Sequence, residues 1–383
     1  MDVTEKLNII FERRDRKVSF FVQIYHNPDI RINKIPSENN ILRVFIIGTW
    51  RFVMAEKVGI PRSLLYYQFY PLWKSFFEEL GAEIVVSDNT TKKILNDGVK
   101  HCVDEACLPV KLLHGHVINL KNRVDHIFLP RMTSVSKGEY ICPKVGGLPD
   151  MIKNSINGLP NIISTEINLR KNPHNAISAA LEIGHFFLDN DSKIKKAYKT
   201  SLKEYEEIKA DFLKGKLPEF ISVKSRSHYT FKTTQALNIA VVGHSYTVYD
   251  SFVNMDIWQK LSNKGIRIVT IDMVDDKSID NKVDQLPKKL FWNYGRKAVG
   301  AAWHLIDEGN LDGIIYIMSF GCGIDSFICD MIERRVRSKG DVPFIVLTID
   351  EHSGEAGMDT RLEAFTDMIL WRKCNEIDFS TLG

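Results

Sequence analysis

Three of the six cysteines in this 383-residue chain stand among other groups that could do chemistry. Cys107 lies in Asp104-Glu105-Ala106-Cys107-Leu108-Pro109-Val110-Lys111, just before His114-Gly115-His116. Cys142 closes Glu139-Tyr140-Ile141-Cys142-Pro143, and Cys322 sits in Ser319-Phe320-Gly321-Cys322-Gly323-Ile324-Asp325. Six cysteines are too sparse for a disulfide framework in a chain of this length, so their uses are packing, redox chemistry or metal ligation. Cys102 and Cys107 have four residues between them and Cys322 and Cys329 have six, which excludes a C-x-x-C zinc knuckle.

Glycines on both sides of Cys322 permit a tight turn and close backbone approach to a bulky ligand. A helix starting there would lower the thiol pKa, and thiolate is the form that binds metal. The competing use of each cysteine is as a small apolar filler. Asp104 and Glu105 read either as catalytic acids or as helix N-terminal charges. His114 and His116 are two apart, so on one helix they face different directions and at most one faces a shared site.

An α/β pattern positions these groups. The strand Lys57–Pro61, an amphipathic helix Leu64–Leu80 and the strand Glu83–Val86 form a βαβ unit. Helices over Thr91–Val99 and from about Glu105 to Lys121 follow, then a short strand Asp125–Phe128, with Cys142 in a loop. Residues from Pro173 to Lys216 are mostly helical, and their Lys/Glu-rich run is a solvated face. The second half begins at Leu237–Val242, followed by a helix near Asp256 to Lys264, the strand Ile266–Thr270, a long helix from about Lys288 to Glu308 and the strand Gly313–Met318. It ends with a helix Ser326–Arg337, the strand Pro343–Ile349 and a helix from about Ala356 to Trp371. The strands are nearly continuous in apolar residues, as in a parallel sheet covered on both faces. The expected fold class is α/β, with two Rossmann-like parallel-sheet halves and a helical connecting segment. The expected divisions are 1–53, an N-terminal extension; 54–165, with Cys107 and Cys142; 166–236, the connector; and 237–383, with Cys322. Met54 is read as the biological start, because the regular pattern begins only after it, which makes residues 1–53 a weakly folded extension or an upstream mistranslation, the alternative being a genuine extra element; before Met54, only Val44 to Ile47 reads as a strand.

Ligands of open parallel sheets bind beyond the carboxyl ends of the strands. Cys322, Asp350-Glu351-His352, His244, and Arg62 with Ser63 all fall at such ends. Arg62, Lys111 and Arg131 are candidates for holding an anion, with surface or packing roles as the alternative.

With 51 basic and 48 acidic residues the chain has no overall field that would demand nucleic acid. The apolar runs near its start are far too short to span a membrane and form no signal-peptide core, so the expected location is cytoplasmic. No G-x-x-x-x-G-K-[ST] phosphate loop occurs, so an ATP-driven electron gate would require another polypeptide.

Through Val58-Gly59-Ile60-Pro61-Arg62, the cysteine motifs above, His114-Gly115-His116 and Asp350-Glu351-His352-Ser353-Gly354-Glu355-Ala356-Gly357, the chain resembles the 2-hydroxyacyl-CoA dehydratase family from about Lys57 to its end. It looks closest to the branch related to the dehydratase activator and akin to the double-cubane-cluster reductases. The resemblance implies an iron-sulfur subunit with one 4Fe-4S cluster on Cys107, Cys142 and Cys322, the alternative being a double-cubane 8Fe-9S cluster that would need Cys102, Cys329 and Cys374 as well. It also implies a separate ATP-dependent iron-sulfur activator protein as partner, a homo- or heterodimer, and an acyl-CoA substrate. Three thiolates leave one iron open, where the dehydratases bind the substrate oxygen while an injected electron drives loss of the 2-hydroxyl as water. Glu105, His116, Glu351 and His352 are the catalytic candidates. The enzymatic expectation is a dehydratase (lyase) or reductase component; the alternatives are a non-catalytic iron-sulfur electron-transfer or scaffold subunit, and a protein whose cysteines only pack.

Overall fold

The computed structural model describes residues 6–13, 16–23, 55–221, 237–340 and 342–380, without the side chains of 6–23 and 374–380. The chain forms two units, Met1–Met54 and Ala55–Gly383. The first contains an antiparallel hairpin of β1 (Lys6–Arg13) and β2 (Arg16–Gln23), paired from Lys6 with Gln23 to Arg13 with Arg16. This corrects the sequence reading, which saw no strand there; the one it did expect, Val44 to Ile47, lies outside the described residues.

In the second unit every sheet is parallel. The first half runs β3 (Lys57–Ile60), α1 (Tyr66–Glu79), β4 (Glu83–Val86), α2 (Lys92–Lys100), α3 (Leu108–Leu120), β5 (His126–Phe128), β6 (Arg131–Ser134), α4 (Pro143–Ser155), β7 (Asn161–Ile163) and β8 (Glu166–Asn168). Its main sheet has the order β4-β3-β5-β7, and β6 pairs with β8 beside it. Helices α5 (Asn175–Gly184) and α6 (Asp191–Leu213) connect to the second half. There β9 (Asn238–Gly243), α7 (Ser245–Tyr249), α8 (Ile257–Asn263), β10 (Arg267–Thr270), α9 (Asp276–Val283), α10 (Asn293–Glu308), β11 (Gly313–Ser319), α11 (Gly323–Lys339), β12 (Phe344–Ile349) and α12 (Glu355–Ser380) follow, with the sheet order β10-β9-β11-β12.

Both sheets therefore share one winding: the second strand lies outside the first, and the third and fourth continue on its other side. These are the two Rossmann-like halves expected from the apolar runs. In each, the chain reverses direction across the sheet next to its first strand, at β3/β5 and at β9/β11, and the loops leaving those strand ends diverge to form a crevice. The two halves share a core in which Val58, Phe77 and Phe128 of the first pack in one cluster with Ile239, Ile315 and Leu347 of the second.

Helices α2 and α3 touch backbone to backbone. A Cβ on Gly98 would lie 1.9 Å from the Lys111 carbonyl oxygen, and one on Gly115 would lie 1.9 Å from that of Ile94. Only glycine allows this approach, which sets the position of α3 and of the cysteine that precedes it.

The elements missed from sequence have physical explanations. Helix α4 contains Gly146, Gly147 and Pro149, poor helix formers that made Cys142 read as a loop residue. The helix expected from Glu105 begins at Leu108, with Cys107 extended before it, so Asp104 and Glu105 lie in a turn. The long helix expected from Lys288 begins at Asn293, and the polar α9, capped by Asp275 on Ser278 N, was not anticipated. No helix among the described residues is long and apolar enough to cross a membrane.

Candidate functional site: three cysteines at helix N-termini

Cys107, Cys142 and Cys322 hold equivalent positions. Each is the residue immediately before a helix: Cys107 before α3, Cys142 before α4 and Cys322 before α11. Pro109 in the first turn of α3 and Pro143 at the start of α4 fit because the first turn of a helix needs no N–H from them. Gly321, at φ +74°, makes the turn that presents Cys322. The backbone N–H of Asp325 donates to Cys322 Sγ over 3.5 Å.

The three thiols are near enough to feel one another. Negative charge on Cys107 and on Cys142 raises the pKa of Cys322, and charge on Cys142 raises that of Cys107. Burial is the larger cause in both cases, and with the Asp325 carboxylate it pushes the Cys322 thiol up to about 12. This corrects the expectation that the following helix would depress it: the N-terminal N–H contact works in that direction but is outweighed by desolvation. Lys144, at the start of α4, acts the opposite way on Cys107.

The other cysteines divide. Cys102 lies within electrostatic reach of Cys107. Cys329 is buried on α11 in a core cluster with Ala298, Val299 and Ile332. The side chain of Cys374 lies outside the described residues.

Beside Cys322 the β9/β11 crevice holds an aromatic and acidic group. His244 is the first residue after β9 and Cys322 follows β11; Gly243 and Ile317 are in register on these adjacent strands. The His244 ring is stacked between Tyr294 (centroids 3.4 Å apart) and Tyr246 (4.7 Å). Its Nε2 lies 3.6 Å from Oδ1 of the fully buried Asp325. Tyr316 donates to Asp325 Oδ1 over 3.0 Å, and the Ser319 N–H donates to Oδ2 over 3.4 Å. One ligand atom each of His244, Cys322 and Asp325 lies within 4.8 Å of the others. Burial lowers the His244 pKa, so the ring is neutral.

The loop carrying Cys142 is tied to the start of α10, which carries Tyr294. Tyr140 bridges to Trp292, Asn293 Nδ2 donates to Glu139 over 2.7 Å, and Tyr140 stacks on Phe291.

The remaining candidates are dispersed. Glu105 is exposed in its turn. His116 is fully buried, with Nδ1 2.9 Å from Ser87 Oγ and Nε2 3.1 Å from Thr90 Oγ1. Thr90 donates to Asp250, which also accepts from Tyr67 over 2.9 Å. Burial drives the His116 pKa down to about 3 and raises that of Asp250, so His116 is a neutral structural link between the halves. His114 Nδ1 bonds the Val110 carbonyl oxygen at 2.8 Å. Glu351 is ion-paired with Lys111, and His352 is exposed beside it. Of the three cations considered for an anion, Lys111 is thus paired, Arg131 chelates Asp150 with two contacts of 2.9 Å, and Arg62 donates to the carbonyls of Ser87 and Phe220.

A cavity of about 310 Å³ opens beside Leu108, the residue after Cys107, and runs to Phe252 and Glu351. Asp256, Asp350, Glu351 and Glu355 line it against one lysine, Lys92. With carboxylates in excess it is no cradle for an anionic group.

Residues 57–274, more than half of the chain and including two of the three cysteines, match the family described as CoA enzyme activase uncharacterised domain. The chain belongs to that family. Membership relates it to the acyl-CoA dehydratase activases, the coarser part of the resemblance read from its motifs. No curated protein matches the chain. Sequence reading singled out His244 by its place after a strand, and Asp325 stood inside a motif it quoted. Tyr246, Tyr294 and Tyr316 went unnoticed, because their role depends on a juxtaposition of β9, α10 and β11 that no local pattern reports.

Proposed function

We propose that this member of the activase-domain family is an iron-sulfur subunit of a 2-hydroxyacyl-CoA dehydratase-like or related low-potential reductase system, with a 4Fe-4S cluster held by Cys107, Cys142 and Cys322. The observation that carries this reading is the convergence of three thiols, each at a helix N-terminus and each within reach of the others' charge. The donor set suits the group. Thiolates are the usual ligands of such clusters, and three sets of free helix N–H groups offset the negative charge that burial makes costly. Burial that keeps the free thiols of Cys107 and Cys322 protonated also makes their deprotonation depend on metal, so assembly releases protons.

Such a cluster supplies one-electron transfer and, at an iron without a fourth protein ligand, Lewis acidity. The chain's own part is to shield the site and order its surroundings. Tyr316 is buried and Tyr246 and Tyr294 are half-buried, and desolvation holds all three pKa values well above the ordinary tyrosine range, so they remain neutral hydrogen-bonding groups. The partner in this reading is an ATP-driven activator, since the chain has no phosphate loop.

The test is an anaerobic electron paramagnetic resonance spectrum taken after incubation with an ATP-driven activator and a reductant. A cluster signal that requires ATP supports the proposal. Its absence from protein that contains iron and sulfide rules out the activator-fed role.

A further inference from the structure

We infer that His244 is the fourth protein ligand of the cluster, closing the iron that the three cysteines leave open; this rests on the reading under Proposed function. His244 and Cys322 stand at the ends of adjacent strands at the switch point of the second sheet, on the side where such folds bind ligands. The imidazole is held between the Tyr246 and Tyr294 rings, with interplanar angles of 11° and 18°, so its plane is fixed before any metal arrives. Tyr246, the ring on one of its faces, lies within electrostatic reach of both Cys322 and Cys107. Tyr294, on the other face, senses Cys322 and rides on the helix whose start is tied to the Cys142 loop.

The ring's acidic neighbour is Asp325, at 3.6 Å, beyond an ordinary hydrogen bond. Asp325 is itself fixed by Tyr316 and the Ser319 N–H, while its own N–H meets Cys322 Sγ. A histidine beside an anchored carboxylate is the arrangement that orients metal-bound imidazoles. Ligation exchanges no electrons: the lone pair of one ring nitrogen enters the iron, and the other N–H turns to Asp325. The consequence for the proposed system is a coordinatively closed cluster, which makes this chain its electron-transfer member.

The experiment uses the full chain, reconstituted anaerobically with ferrous iron and sulfide and labelled with ¹⁵N-histidine. Iron and sulfide content is measured first, then nitrogen hyperfine couplings of the reduced cluster by pulsed electron paramagnetic resonance. The expected result is an imidazole-sized coupling that changes with the label and vanishes in His244→Gln while the cluster signal persists. In His244→Cys the nitrogen coupling is lost and the midpoint potential shifts downward, because thiolate adds negative charge where imidazole had none. A four-iron cluster whose spectrum ignores the label, or keeps the coupling in His244→Gln, overturns this inference and leaves the three-cysteine reading standing. Iron or zinc bound without sulfide overturns both readings, as does protein that takes up neither.

Discussion

Lys111, buried on α3, is ion-paired with Glu351 in the loop after β12, so the helix that begins at Cys107 is pinned to the far half of the molecule. The Lys111 side chain is 3% exposed and that of Glu351 18%, which leaves little water to take over if either partner is lost. Lys111→Met strands the carboxylate and is expected to cost about 3 kcal/mol in urea unfolding; Lys111→Met combined with Glu351→Gln recovers most of it. Equal losses in Lys111→Met and in the double variant would show that the stranded carboxylate is not what the substitution costs.

The contact of α2 with α3 has no slack. Gly98→Ala and Gly115→Ala each drive a Cβ into a backbone carbonyl and are expected to destabilise by on the order of 3 kcal/mol. Gly147→Ala in α4 has open space around its Cβ and should raise stability by up to about 1 kcal/mol. Thermal unfolding of the three variants distinguishes close approach from general glycine sensitivity.

His116 makes folding pH-dependent. Its pKa is about 3 in the folded protein against 6.5 when free, so between these values the unfolded chain binds a proton that the folded one refuses. Its contribution is complete above 6.5 and is lost as pH falls towards 3, with a slope of at most about 1.4 kcal/mol per pH unit. Asp250, raised by burial, tilts the curve the other way above 3.8, and comparison of His116→Gln with the parent cancels its part. The stability advantage of the parent over the variant should grow from pH 4 to 7 in denaturant titrations; parallel curves would place the proton elsewhere.

Much of this was legible in the sequence. The continuous apolar runs of β3, β9, β11 and β12 announce buried parallel strands, and the glycines around Cys322 announce a turn. The shared winding of the two sheets was not, since apolar runs carry no pairing information. The start of α4 was hidden by its glycines and proline. Lys111 and His116 read as candidates for chemistry because their chemical types are reactive, yet Glu351, far away in sequence, pairs with Lys111, and Ser87 and Thr90 hold the His116 ring, Thr90 in turn donating to the distant Asp250.

The cysteines should sort by position. Cys329→Ala, in the core under α11, is expected to lose about 1 kcal/mol of stability and no iron. An iron loss in this variant comparable to that of Cys322→Ser would move the centre to α11.

The most direct test is iron and acid-labile sulfide per chain in anaerobically purified protein and in Cys107→Ser, Cys142→Ser and Cys322→Ser. The account predicts about four of each in the parent and a severe loss in every one of the three variants. A parent free of iron and sulfide, or a full complement retained after replacement of any of the three, would contradict it.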